Sequence, residues 1–145
     1  MDEYIVHNYQ HRVIICRQHH CAILPTGVWR HFQNYHKAVP VEVRKGIEER
    51  VKQLDLLPPS EVVLPDNNTM VKGLEIVKGF RCLYKECNKL RGTIKSIQRH
   101  CCSHKWINSE EPRWIEQTIQ TFFQDKHKRY ITTYDCLIEV TLQLA

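Results

Sequence analysis

The chain has 145 residues, of which 42% are hydrophobic and 26% charged, and these globular proportions exclude wholesale disorder. It contains no apolar run of the roughly 18 residues that a membrane span needs, so no membrane partner is expected. The formal net charge of +5 is compatible with a polyanionic partner without requiring one.

The ten N-terminal residues open with two acids after the methionine and contain no apolar core, so they predict no secretion signal. We therefore expect an intracellular protein whose seven cysteines are reduced. In that setting, closely spaced cysteines favour metal ligands or free thiols over disulfides.

Residues 8–39 form the first predicted segment, with a strand followed by a helix. The branched side chains of "HRVIIC" are typical of a strand. A helix is predicted to start near Pro25 and Thr26 and to carry Val28, His31, Phe32, Tyr35 and His36.

Residues 40–72 are predicted to link this segment to the next one. Pro40 opens an amphipathic helix with Val43, Ile47, Val51 and Leu54 on its apolar stripe. The two prolines at 58 and 59 stop that helix, and a turn is expected at residues 66–68.

Residues 73–106 repeat the order of strand and helix. "GLEIVKGFRC" predicts a strand, and Thr93 is placed to cap a helix that carries Ile94, Ile97 and His100 on one stripe.

The last segment, residues 107–145, is predicted to begin with a helix. Its start is signalled by Ser109 and Pro112, and its apolar stripe would be Ile115, Ile119 and Phe122. The tail after residue 128 is interpreted as one or two strands. The predicted fold class is therefore α+β: two small ββα zinc-finger-like units joined by an amphipathic helix, plus a C-terminal helix.

A cysteine pair and a histidine pair occur twice in the chain. The first repeat reads C-x4-C-x9-H-x4-H, and 66 residues later the second begins and reads C-x4-C-x12-H-x3-H. Thiolates from a turn and imidazoles from one helix face are donors that tetrahedral zinc prefers. The sequence therefore predicts two zinc ions held by Cys16, Cys21, His31, His36, Cys82, Cys87, His100 and His104.

The first repeat leaves an alternative open, because its gap of nine is three residues shorter than the gap of twelve in the second. His19 and His20 lie inside its cysteine loop as competing ligands. In the second repeat, Cys101 and Cys102 flank His100, and either is an alternative donor to His104.

The predicted sites are structural, since each has four protein donors and a catalytic zinc keeps an open position. The sequence contains no HExxH pattern, no GxSxG elbow and no phosphate-binding glycine loop. No catalytic residue and no small-molecule substrate are predicted, and the chain is interpreted as a non-enzyme.

The second repeat carries the residues predicted to bind nucleic acid. In a DNA-reading finger, residues just before the first histidine face the bases. The residues predicted to contact DNA or RNA are Lys95, Ser96, Arg99 and Arg91. A nuclear location would follow. The alternative is a zinc-stabilised protein-interaction module, in which a surface such as the helix from Val43 to Leu54 meets a protein partner.

Residues 8–134 resemble a known fungal family. The stretches that carry the resemblance are "HRVIICRQHHCAILPTGVWRHF", "PPSEVVLP", "GLEIVKGFRCLYKEC" and "WIEQTIQTFFQDKHKRYITTY", in this order. They are similar to the family typified by orsellinic acid biosynthesis cluster protein D, which is described as divergent and zinc-finger-like. The resemblance implies a fungal source and the same eight zinc ligands, and it favours nucleic acid as the partner.

Overall fold

The computed structural model describes residues 3–65, 69–105, 112–124 and 127–133. Within them the chain is mixed α+β, with three α-helices and two antiparallel sheets, so the predicted class is confirmed. The chain divides into two compact units. Unit 1 comprises Met1–Leu64, Lys72–Glu75 and Thr121–Arg129, and unit 2 comprises Pro65–Val71, Ile76–Gln120 and Tyr130–Ala145.

Unit 1 contains a three-stranded sheet in the order β1-β2-β3. The strands are β1 (Ile5–Asn8), β2 (Val13–Cys16) and β3 (Ala22–Ile23). All four residues of β2 are buried, in agreement with the strand predicted from their branched side chains. Ile14 lies opposite Ile23, and Ile15 lies opposite Ala22.

Two helices complete unit 1, α1 (Val28–Tyr35) and α2 (Val41–Lys52), and both confirm helices predicted from the sequence. The buried stripe of α2 is Ile47 and Val51, whereas Val43 is 40% exposed. A short 3-10 helix follows at Pro59–Glu61. The turn predicted at residues 66–68 lies outside the described residues. The buried core joins sheet and helices through Ile5, Ile14, Cys16, Ile23, Val28, Phe32, Val39, Ile47 and Val51.

Unit 2 contains a four-stranded sheet in the order β5-β4-β6-β7. The strands are β4 (Val77–Cys82), β5 (Leu90–Arg91), β6 (Trp114–Thr121) and β7 (Tyr130–Thr132). Gly79 in β4 lies against the side chain of Ile119 in β6. A Cβ at position 79 would lie 2.3 Å from Ile119 Cδ1, so this close approach requires glycine.

The helix of unit 2 is α3 (Ile94–Cys102), and its predicted cap is confirmed. The hydroxyl of Thr93 accepts a hydrogen bond from the Ser96 N–H at 3.1 Å. The core between α3 and the β4–β5 hairpin consists of four buried residues: Phe80, Cys82, Ile97 and Cys101. Such a small core supplies little stability by itself.

The predicted C-terminal helix is wrong, because Trp114–Thr121 forms β6 and pairs antiparallel with β4. A spacing of four residues puts two side chains on one face of a strand as well as of a helix, so Ile115 and Ile119 fit both structures. The strand predicted in the tail is confirmed at Tyr130–Thr132. Ser109 and residues 134–145 lie outside the described residues.

Among the described helices, none is long and apolar enough to cross a membrane.

Candidate metal centres

The first centre lies in unit 1 and consists of Cys16, His19, His31 and His36, whose ligand atoms all lie within 4.8 Å of one another. Cys16 ends β2, and His19 lies in the loop after it. His31 belongs to α1, and His36 caps the end of that helix by donating its backbone N–H to the Phe32 carbonyl. Strand, loop and helix therefore bring four donors to one point.

The second centre lies in unit 2 and consists of Cys82, Cys87, His100 and His104, again within 4.8 Å. Cys82 ends β4, and Cys87 lies in the β4–β5 loop, where its N–H donates to the Tyr84 carbonyl. His100 lies in α3, and His104 follows the helix end. The structure thus brings together the four residues that the second repeat singles out.

The ring nitrogens of both centres face two neighbours at once. His36 Nε2 lies 3.3 Å from Cys16 Sγ and 3.2 Å from His31 Nε2. In the second centre, His100 Nε2 lies 3.3 Å from Cys87 Sγ and 3.2 Å from His104 Nε2. A ring nitrogen offers one proton or one lone pair in its plane, so hydrogen bonding accounts for one such neighbour. Two neighbours are expected where the nitrogens point at a common ion.

The distances fit a tetrahedral site. Metal–nitrogen bonds of about 2.0–2.1 Å and metal–sulfur bonds of about 2.3 Å give donor–donor edges of about 3.3–3.8 Å. The contact of Cys16 Sγ with His19 Nδ1 is 3.3 Å, and the edges in both centres lie at or within about 0.1 Å of the lower end of this range. The donors are therefore spaced as a tetrahedral metal site requires.

Backbone N–H groups point at one sulfur in each centre. The His19 N–H donates to Cys16 Sγ and the Tyr84 N–H donates to Cys82 Sγ, each at 3.4 Å. Hydrogen bonds to the charged form stabilise a thiolate, which is the form that binds a metal. Both sulfurs belong to buried cysteines, so these donors replace water.

Burial favours the neutral, metal-binding form of three imidazoles in the centres, those of His31, His36 and His100. It lowers the pKa of His31 to about 4, with smaller contributions from His36 and His19. Burial and then His19 lower the pKa of His36. The pKa of His100 is lowered by burial first, and then by the charges of Arg91, His104 and Lys89.

The first centre differs from the predicted ligand set, because His19 stands where the sequence indicates Cys21. The carbonyl of Cys21 accepts a hydrogen bond from the Cys16 N–H, which extends the β2–β3 ladder past the strand ends. His19 lies in the turn that this ladder closes. The sequence contained one signal for His19. With His19 as the second donor, the first repeat reads C-x2-H-x11-H-x4-H, and its middle gap of eleven is close to the gap of twelve in the second repeat.

The additional cysteines of the second repeat lie beside its centre. Cys101 is buried, with its Sγ 3.9 Å from Cys82 Sγ and 3.6 Å from the Arg113 carbonyl. Burial, together with a hydrogen bond to Cys82, raises the pKa of Cys101 to about 11. The side chain of Cys102 is exposed. Neither belongs to the group of four.

The residues predicted to bind nucleic acid lie on or next to α3. Lys95 and Arg99 are exposed one helical turn apart, so they share a face. Ser96 is half-buried and its N–H is used by the Thr93 cap. Arg91 is half-buried in β5, and its guanidinium donates to the Leu90 carbonyl.

The chain is similar to a named fungal protein. It is 29% identical over 120 residues to orsellinic acid/F9775 biosynthesis cluster protein D of Emericella nidulans, an alignment that covers 81% of this chain and 23% of that protein. The chain therefore spans about a quarter of that relative's length. No solved structure matches the chain significantly. The family model described as orsellinic acid/F9775 biosynthesis cluster protein D matches residues 3–106, and the chain belongs to this family.

Proposed function

We propose that the chain is a non-enzymatic zinc-binding module with two zinc-finger-like units, and that it binds nucleic acid through unit 2. Each unit places a hairpin and then a helix around four donors, the arrangement that a small finger uses. The observation that carries the proposal is the convergence of His36 Nε2 and His100 Nε2 on two donors each.

The metal's role in this proposal is to stabilise the fold. Four protein donors complete a tetrahedron and leave no position for a substrate, which favours a structural site over a catalytic one. Bound zinc contributes on the order of 10–16 kcal/mol to the folding of a finger peptide. The four side chains buried under α3 contribute at most about 6–12 kcal/mol, and the conformational entropy lost when the unit orders offsets this contribution.

Metal content tests the zinc proposal. Purified protein is expected to hold two zinc equivalents, and Cys82→Ser and Cys16→Ser are each expected to hold one, because each removes a buried donor. Elemental analysis measures the content, and circular dichroism reports whether the affected helix is lost. The control Cys102→Ser removes an exposed thiol outside both centres and should retain two. Unchanged content in Cys82→Ser would contradict the proposal.

The nucleic-acid proposal rests on the exposed cations of α3. Among the described residues, no carboxylate forms an ion pair with Lys95 or Arg99. Lys89 and Arg91 lie close enough to His100 to lower its pKa, so they add positive charge beside the same helix. A cluster of unpaired cations is what phosphate groups require.

Salt-dependent binding tests the nucleic-acid proposal. The affinity for duplex DNA and for single-stranded RNA, measured by fluorescence anisotropy, is expected to fall steeply with salt concentration. Replacing Lys95 and Arg99 together by alanine should reduce the log–log slope by about two, since each phosphate contact contributes roughly one. The matched control replaces Lys45 and Arg50 of α2, two exposed cations in unit 1. Equal losses of affinity in both double variants, or no binding at about 50 mM salt, would refute the nucleic-acid proposal.

One observation favours a second candidate function, a protein-interaction module. Val41 and Val43 at the start of α2 are 49% and 40% exposed, although both are large apolar side chains. Absence of nucleic-acid binding at low salt, with both zinc ions retained, would favour this alternative.

A further inference from the structure

The two centres differ in their donor atoms. The first offers one sulfur and three nitrogens, whereas the second offers two of each. A divalent ion bound to one thiolate keeps one positive charge, and the same ion bound to two thiolates is neutral. Imidazole suits zinc, nickel and copper, while thiolates select softer ions.

The loop of the first centre fixes this donor set. The His20 N–H donates to the Cys16 carbonyl at 2.9 Å, and the His20 carbonyl accepts from the Glu75 N–H at the same distance. His20 has a φ of 55°, the left-handed conformation that closes the turn. This turn holds His19 in place, with its backbone N–H on Cys16 Sγ.

Aromatic contacts hold the ring of His19 over the centre. Its centroid lies 5.6 Å from that of His31 and 5.0 Å from that of His36, both edge-on. The exposed ring of Tyr35 covers it from outside, at 5.2 Å. His19 is therefore packed among the other donors and held by several independent contacts.

We propose that the first centre is a one-thiolate, three-imidazole site that takes borderline ions such as Zn²⁺, Co²⁺ and Ni²⁺. Cys21 takes no part in it, and thiophilic ions such as Cd²⁺ bind preferentially at the second centre. This inference rests on the proposed metal binding and adds to it that the two centres of one chain select different ions.

Cobalt loading of the full chain tests the donor set, because each bound thiolate adds charge-transfer absorption. The wild-type chain is expected to show the intensity of three thiolates, and Cys21→Ser is expected to leave it unchanged. His19→Cys should raise it by about a third, since it supplies a fourth thiolate at the same position. A loss of intensity in Cys21→Ser, with His19→Cys unchanged, would overturn the inference.

Cadmium competition tests the selectivity. Adding Cd²⁺ in increments should release zinc from Cys16→Ser, which keeps the second centre, at a lower Cd²⁺ concentration than from Cys82→Ser, which keeps the first. Release of zinc at equal Cd²⁺ concentrations from the two variants would overturn the inference while leaving the proposed function intact. A wild-type chain that holds neither zinc nor cobalt would overturn the proposed function itself.

Discussion

His36 illustrates how single residues combine two roles in this chain. Its ring is only 6% exposed and packs against Phe32 with centroids 4.8 Å apart, so it belongs to the core of unit 1. Its Nε2 nevertheless lies beside two other donors. A buried imidazole with this double role makes packing and metal binding interdependent.

Acid is predicted to destabilise unit 1. Burial lowers the pKa of His31 from 6.5 to about 4, so the unfolded chain binds more protons between these values. Zinc binding also needs the neutral imidazole, so the free energy of unfolding of the zinc-loaded chain is expected to be highest above about pH 6.5 and to fall as the pH drops.

Urea unfolding of the zinc-loaded chain at a series of pH values measures this effect. His31→Gln removes both a titrating imidazole and a zinc donor, so it should lower the free energy of unfolding at pH 7 and reduce its dependence on pH. His20→Gln, which changes an exposed histidine outside the centre, should alter neither. If the free energy of unfolding depends on pH to the same extent in both variants, His31 does not cause the destabilisation by acid.

Sequence spacing predicted seven of the eight residues that the two centres bring together, because the donors are local to a hairpin and the helix that follows it. It placed Cys21 where the structure has His19. Which of two neighbouring side chains reaches the centre depends on the turn and on the contact with Glu75, and spacing does not contain that information.

At the level of elements, all three described α-helices were predicted, whereas β6 was mistaken for a helix. The cap of α3 is encoded within four residues, from Thr93 to Ser96. β6 depends on a distant partner, β4, and carries three consecutive buried residues that break the alternation of a strand. One of them is Gln120, whose side-chain oxygen accepts from the Val71 N–H and whose side-chain nitrogen donates to the Val71 carbonyl. Local sequence does not reveal this pairing.

The α3 cap is predicted to contribute measurably to the stability of unit 2. Thr93→Ala removes the acceptor for the Ser96 N–H and is expected to cost about 1 kcal/mol. Chemical denaturation of the zinc-loaded protein measures the change. Thr93→Ser keeps a hydroxyl at this position and should lose much less, so equal losses in the two variants would argue that the hydroxyl does not cap the helix.

At the scale of the whole molecule, the α+β class followed from the alternation of strand and helix signals. The set of chain segments that makes up each unit did not follow from the sequence. Unit 1 recruits Thr121–Arg129 from beyond the second repeat. There the Phe122 carbonyl accepts from the Ala22 N–H at 2.6 Å. Such returns are set by long-range packing, which a repeat pattern read along the sequence does not show.

The return of Thr121–Arg129 to unit 1 limits how the protein can be dissected. The family match ends at residue 106, yet β6 and the guanidinium of Arg129, which donates to the Val62 carbonyl, lie beyond it. A recombinant fragment that ends at residue 106 would lack β6 of unit 2 and the Arg129 side chain of unit 1. A fragment that carries the first centre in its native surroundings must therefore run through Arg129, and one that carries the second must run through Thr133.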